Sequence, residues 1–166
     1  MKKITQLVLL AILIVAASYS IIATASKKEE VEATNGAPSF SLVSITGETI
    51  DLASYEDGVI LNFWATYCPP CKREMPAFEK AYEKLQQDGI QLFAINVEEP
   101  TMVVNQYLQT FKPSFPVLLD RDGLVSKSYE VLTLPTTVFI RSGKIVQTVK
   151  GELTEEQLLQ YAKMIQ

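Results

Sequence analysis

Histidine is absent from the 166 residues. That removes His-assisted nucleophiles and His-ligated zinc, copper or haem sites. Cysteine occurs only twice, so one chain cannot assemble a four-cysteine zinc site. Tryptophan occurs once. Positive charge is short where it would matter for nucleic acid. From Ser26 onward 13 Lys and Arg face 19 Asp and Glu, a net charge of −6. That balance argues against nucleic acid, which wants a basic stripe.

What the chain does have is concentrated. Both cysteines fall in one tetrad, Cys68-Pro69-Pro70-Cys71, directly after an apolar run ending Phe63-Trp64-Ala65. A Cys-x-x-Cys where a strand gives way to a helix is a redox-site pattern. The free N–H groups and dipole of a helix N-terminus favour a thiolate, which lowers the thiol pKa. Cys68 is the expected attacking sulfur, and Cys71, one turn in, the resolving one. The alternative is a permanent structural disulfide. A bridge across two residues closes so small a loop that it would restrict the unfolded chain little. Pro69 and Pro70 have no N–H to offer the sulfur. Cys68 is left with the Cys71 N–H and the dipole, which points to a reductase rather than a strong oxidant. Trp64 either packs in the core or also shields the disulfide.

Lys2 and Lys3 precede an uncharged run over residues 4–25. Twenty-two residues rise ~33 Å as a helix, enough to cross a bilayer's hydrocarbon core. The two lysines favour a cytoplasmic N-terminus. The expectation is a retained membrane anchor with the remainder outside the cell membrane, where disulfides persist. A cleaved signal peptide is the alternative, since Ala23-Thr24-Ala25 resembles a cleavage site. Without a cysteine following the run, a lipoprotein is excluded.

Residues 26–37 read as a flexible polar linker. Residues 38–166 form one domain. Phe40, Leu42 and Ile45 flank a turn at Thr46-Gly47-Glu48, followed by Ile50 and Leu52, which reads as a short hairpin. Strands are predicted over 59–64, 90–97, 115–119, 136–140 and 145–149. Helices are predicted over 69–87, 101–112 and 123–129, with a last one starting at Thr154 and capped with help from Glu156 or Gln157. Pro76 lies inside the first helix and is expected to kink it. The order requires a parallel crossover and then an antiparallel hairpin. The class is α/β, a central mixed sheet flanked by helices. The tetrad falls at the carboxyl end of a central strand, where open α/β sheets place their sites.

The segment from Asn62 to Pro76, Asn-Phe-Trp-Ala-Thr-Tyr-Cys-Pro-Pro-Cys-Lys-Arg-Glu-Met-Pro, resembles the active-site segment of thioredoxin-like proteins. It is most similar to their membrane-anchored, extracytoplasmic branch of ResA, TlpA and StoA types. Leu134-Pro135-Thr136-Thr137 matches the family's cis-proline loop. Phe115-Pro116-Val117-Leu118-Leu119-Asp120 resembles the strand of that branch's central insertion. Gly143-Lys144-Ile145 matches the turn before its last strand.

The resemblance implies a thioredoxin-like fold and an extracytoplasmic thiol–disulfide oxidoreductase. It would act on protein disulfides, in apocytochrome c or in envelope or spore-assembly proteins. Cys68 and Cys71 would be catalytic. Trp64, Pro69, Pro70, Leu134 and Pro135 would meet the substrate. No cofactor or metal is expected; a membrane electron donor and a monomer are. Asn62 stands where classical thioredoxins carry a buried aspartate and cannot accept a proton in that role. Glu74 matches a glutamate that this branch carries three residues after the second cysteine. The resemblance makes it a third catalytic residue, with a carboxyl pKa raised by desolvation and by like charge at the thiols. Two rival classes remain. A peroxiredoxin-like peroxidase would need Thr-x-x-Cys, but position 65 is Ala. A redox-inert binding module would have no use for two cysteines at a helix start.

Overall fold

A computed structural model describes residues 36–166. The expected anchor and most of the expected linker lie outside the described residues. No helix among those described is long and apolar enough to cross a membrane. A short hairpin, β1 (Ser41–Val43) and β2 (Thr49–Asp51), comes first, with Leu42 opposite Ile50. A 3₁₀ turn (Leu52–Ser54) leads to β3 (Val59–Trp64), α1 (Pro69–Gln87) and β4 (Gln91–Val97). Then follow α2 (Thr101–Thr110), β5 (Val117–Asp120), α3 (Leu124–Ser128), β6 (Thr136–Arg141), β7 (Lys144–Lys150) and α4 (Glu155–Ala162).

Five strands form one sheet in the order β5-β4-β3-β6-β7. β3 pairs parallel with β4 and antiparallel with β6, so it is the point where strand direction changes. This is the expected mixed sheet of a thioredoxin-like fold. β3 is buried at every residue, as a central strand covered on both faces must be. Its side chains alternate between two cores. Ile60 and Trp64 join Met75, Phe78 and Leu85 of α1, Val104 of α2 and Leu158 of α4. Val59, Leu61 and Phe63 point the other way, toward Phe40, Ile50, Leu52, Val125 and Tyr129. One face therefore carries α1, α2 and α4, and the other the hairpin, the 3₁₀ turn and α3.

Local chemistry accounts for most element ends. α2 stops at Thr110, before the predicted 112, because Pro113 disfavours helical backbone in the residue ahead of it. Thr154 caps α4, and the reciprocal partner is Gln157: its N–H reaches Thr154 Oγ1 at 3.2 Å and its side chain accepts the Thr154 N–H at 3.0 Å. α1 runs unbroken through Pro76, which lies on the exposed face.

Candidate active site

Three segments far apart in sequence meet at the carboxyl end of β3. The first is the tetrad. Cys68 is the N-cap of α1, with extended backbone, and its Sγ accepts the Cys71 N–H at 3.3 Å. Pro69 and Pro70 fill the first two helical positions, so the Cys71 N–H is the only amide of that turn bonded to the sulfur. The two cysteines form a disulfide with an S–S distance of 2.01 Å. Cys68 retains 6% exposure and Cys71 none, so an incoming group reaches Cys68 first.

The second segment is the loop ahead of β6. The Leu134–Pro135 bond is cis. Pro135 is buried, and its carbonyl accepts the Gly151 N–H at 2.9 Å, which ties the loop to the end of β7. Leu134 is half-buried and Leu132 is 82% exposed. Tyr67, on the cysteine side, is 68% exposed. Between them runs an open groove of about 500 Å³, lined by Tyr67, Cys68, Pro69, Glu98, Leu132 and Leu134 among others. Four of the five residues expected to meet a substrate therefore lie at or beside one groove. Trp64 does not: it is fully buried under the tetrad, 5.4 Å from the Tyr107 ring. Its structural contribution is to pack beneath the disulfide.

The third segment follows β4, and the sequence reading missed it. Glu99 is 8% exposed and accepts the Thr66 N–H at 2.6 Å, the Thr66 hydroxyl, and the Asn96 amide at 2.7 Å. It anchors the loop that delivers Cys68 to the helix start. Glu-Pro after an apolar strand carries no periodic or motif signal, so nothing local could have marked it.

Glu74 is 2% exposed. Its Oε1 accepts the Asn62 side-chain N–H at 2.8 Å and its Oε2 the Leu153 backbone N–H at 3.0 Å. Asn62 Nδ2 is also 3.2 Å from Thr137 Oγ1 on β6, while its Oδ1 has no protein partner. Burial raises the Glu74 carboxyl from 4.5 to about 7, the two hydrogen bonds oppose the rise, and the nearby Glu152 charge adds to it. Desolvation is the expected leading cause; the like charge beside it is Glu152. Cys68 and Cys71 are joined in the disulfide and carry no charge.

Comparison with known proteins agrees with this geometry. The AhpC/TSA family profile matches residues 33–149. The thiol-disulfide oxidoreductase ResA of Bacillus cereus is 38% identical over 142 residues, covering 84% of this chain and 82% of that protein. ResA of Bacillus subtilis is 37% identical over 160 residues, 95% of this chain and 89% of that one. The crystal structure of StoA from Bacillus subtilis superposes with a TM-score of 0.69 at 32% identity, over 75% of this chain and 96% of that one. A putative thiol:disulfide interchange protein DsbE from Chlorobium tepidum gives a TM-score of 0.71 at 28% identity, over 78% and 93%.

Proposed function

The chain belongs to the AhpC/TSA family, among its thioredoxin-like thiol–disulfide oxidoreductases, and from that membership we propose that it reduces disulfides in exported proteins through Cys68 and Cys71. The observation that carries this reading is the asymmetry of the tetrad. Cys68 opens on a groove and Cys71 is sealed beneath it. In the dithiol form the Cys68 thiolate attacks a substrate disulfide. A Cys68–substrate S–S bond forms and the other substrate sulfur leaves as thiolate. Glu74, one helical turn from Cys71, takes the Cys71 proton. Cys71 then attacks Cys68 Sγ, closing the Cys68–Cys71 disulfide and releasing the second substrate sulfur. Two electrons have moved from enzyme to substrate. A membrane electron donor restores the dithiol. The substrate classes are cysteines of apocytochrome c and disulfides of envelope or spore-assembly proteins. Pro69, Pro70, Leu134 and Pro135 bound the surface that such a substrate meets.

Direction follows from the donors around Cys68. With one amide bonded to the sulfur, the thiolate is stabilised less than in tetrads that add a cation or further N–H groups. The expected potential lies nearer the thioredoxin value of about −270 mV than the strong-oxidant value of about −120 mV. Equilibration against glutathione or dithiothreitol measures it. A potential above about −180 mV would make an oxidase or isomerase the better reading. A peroxidase is disfavoured, because Ala65 stands where the required threonine would be.

The same proposal places the domain outside the cell membrane on an anchor at residues 4–25. The support is two lysines before 22 uncharged residues. Carbonate-washed membranes should retain the protein. A soluble form beginning near Ser26 would remove the anchor and leave export intact.

A further inference from the structure

Glu98 follows β4 and lines the same groove as Cys68, Leu132 and Leu134. Its backbone has φ of 55°, the left-handed region that side chains other than glycine adopt only at a cost. The conformation is held from outside: the Glu98 N–H bonds the Asp120 carbonyl at 2.9 Å, across the turn from β5. Room for the side chain is made by Gly123. The Glu98 carboxylate lies over Gly123, where a Cβ would meet its Oε1 and push it aside. Among the described residues the Glu98 carboxylate accepts no hydrogen bond and joins no ion pair, and the residue is exposed. The α3 amides that could have taken it are satisfied by Asp120 and Asp122. The left-handed turn thus sets an unpaired, exposed carboxylate at the rim of the groove, resting against Gly123.

We propose that Glu98 is a specificity-determining residue that selects substrate segments with a Lys or Arg next to the reacting cysteine. This rests on thiol exchange at Cys68. The groove has apolar walls at Tyr67, Leu132 and Leu134, which suit apolar neighbours of the substrate cysteine. Glu98 supplies the charge, and a cationic side chain is its complement. A substrate acid brought to the same place would meet repulsion with no cation bonded to Glu98 to relieve it.

The test uses the full chain carrying Cys71→Ala and short peptides whose single cysteine is a mixed disulfide with thionitrobenzoate. Attack by Cys68 joins the peptide to the enzyme and releases the coloured thiolate. Peptides differ only in the residue beside the cysteine, Lys or Glu. At low ionic strength the lysine peptide should react about fivefold faster than the glutamate peptide, and salt should shrink the ratio. In Glu98→Gln the ratio should fall toward one. Glu98→Gly should do the same with an unimpaired melting temperature, since glycine takes this φ without strain. A ratio near one in the Glu98 protein, or one that survives Glu98→Gln, overturns the proposal while leaving exchange at Cys68 standing. Failure of Cys68 to react with either peptide overturns both.

Discussion

With Cys71 replaced by alanine, the protein should accumulate as covalent adducts with its substrates, and with Cys68 replaced by serine it should form none. The two substitutions separate the two halves of the exchange. Cys68 is the sulfur open to the groove, so its loss removes the first attack and brings disulfide reduction down to the background rate. Cys71 has no exposure and, as the proposed resolving sulfur, acts from within, so its loss should leave the first bond made and unreleased. The measurement is a non-reducing gel of membranes from cells expressing each variant, then mass spectrometry of the bands that reductant collapses. Adducts with exported proteins would identify the substrate class. Adducts formed by Cys68→Ser would assign the attacking role to Cys71. Their absence from the Cys71→Ala protein would mean that the tetrad is a structural bridge.

Glu74→Gln should flatten two pH dependences at once. The carboxyl titrates at about 7 in the fold against 4.5 for an ordinary glutamate. Between those values the folded protein holds a proton that the unfolded chain has released. Its contribution to stability is therefore complete below pH 4.5 and is lost as pH rises through 7. The displacement corresponds to about 3 kcal/mol. Relative to Glu74→Gln, the wild-type protein should lose about that much stability between pH 4.5 and 8, read from denaturant unfolding of the disulfide form. An amide fits the site. Its oxygen can accept the Leu153 N–H, and its NH₂ can meet Asn62 Oδ1 once the Asn62 amide turns over, an atom now without a protein partner. Under the proposed mechanism the Glu74 carboxyl is the base for Cys71 in the dithiol form. In the Glu74→Gln protein, substrate reduction should then lose its step near neutrality and slow by ~10²-fold, the usual lower range for a positioned proton acceptor. Superimposable pH–rate profiles would make Glu74 a buried structural acid without a part in exchange.

These two expectations differ in how visible their residues were beforehand. The tetrad is a local object. Its cysteines, the two prolines of the first turn and the apolar strand before it lie within one short stretch of sequence. Strand period, helix period and the chemistry of an N-cap act over a few residues. The ends of β3 and α1 accordingly coincide with those predicted. Glu74 lay between the two cases. Its position three residues after Cys71 and the family resemblance marked it. Its burial comes from Leu153, 79 positions away, and from Asn62 on the neighbouring strand.

By itself, then, the sequence determined the element types, the α/β class and the redox tetrad at a strand-to-helix junction. Each of these depends on neighbours in the chain or on composition. Only the tertiary structure decided that Glu74 is desolvated, that Trp64 lies under the disulfide instead of on the groove, and that Glu98 and Glu99 flank the tetrad from the end of β4. Those facts depend on the strand order β5-β4-β3-β6-β7, which brings residues 66, 98 and 134 to one edge. Strand order is set by the collective burial of two cores, a sum over many distant side chains that no short window of sequence contains.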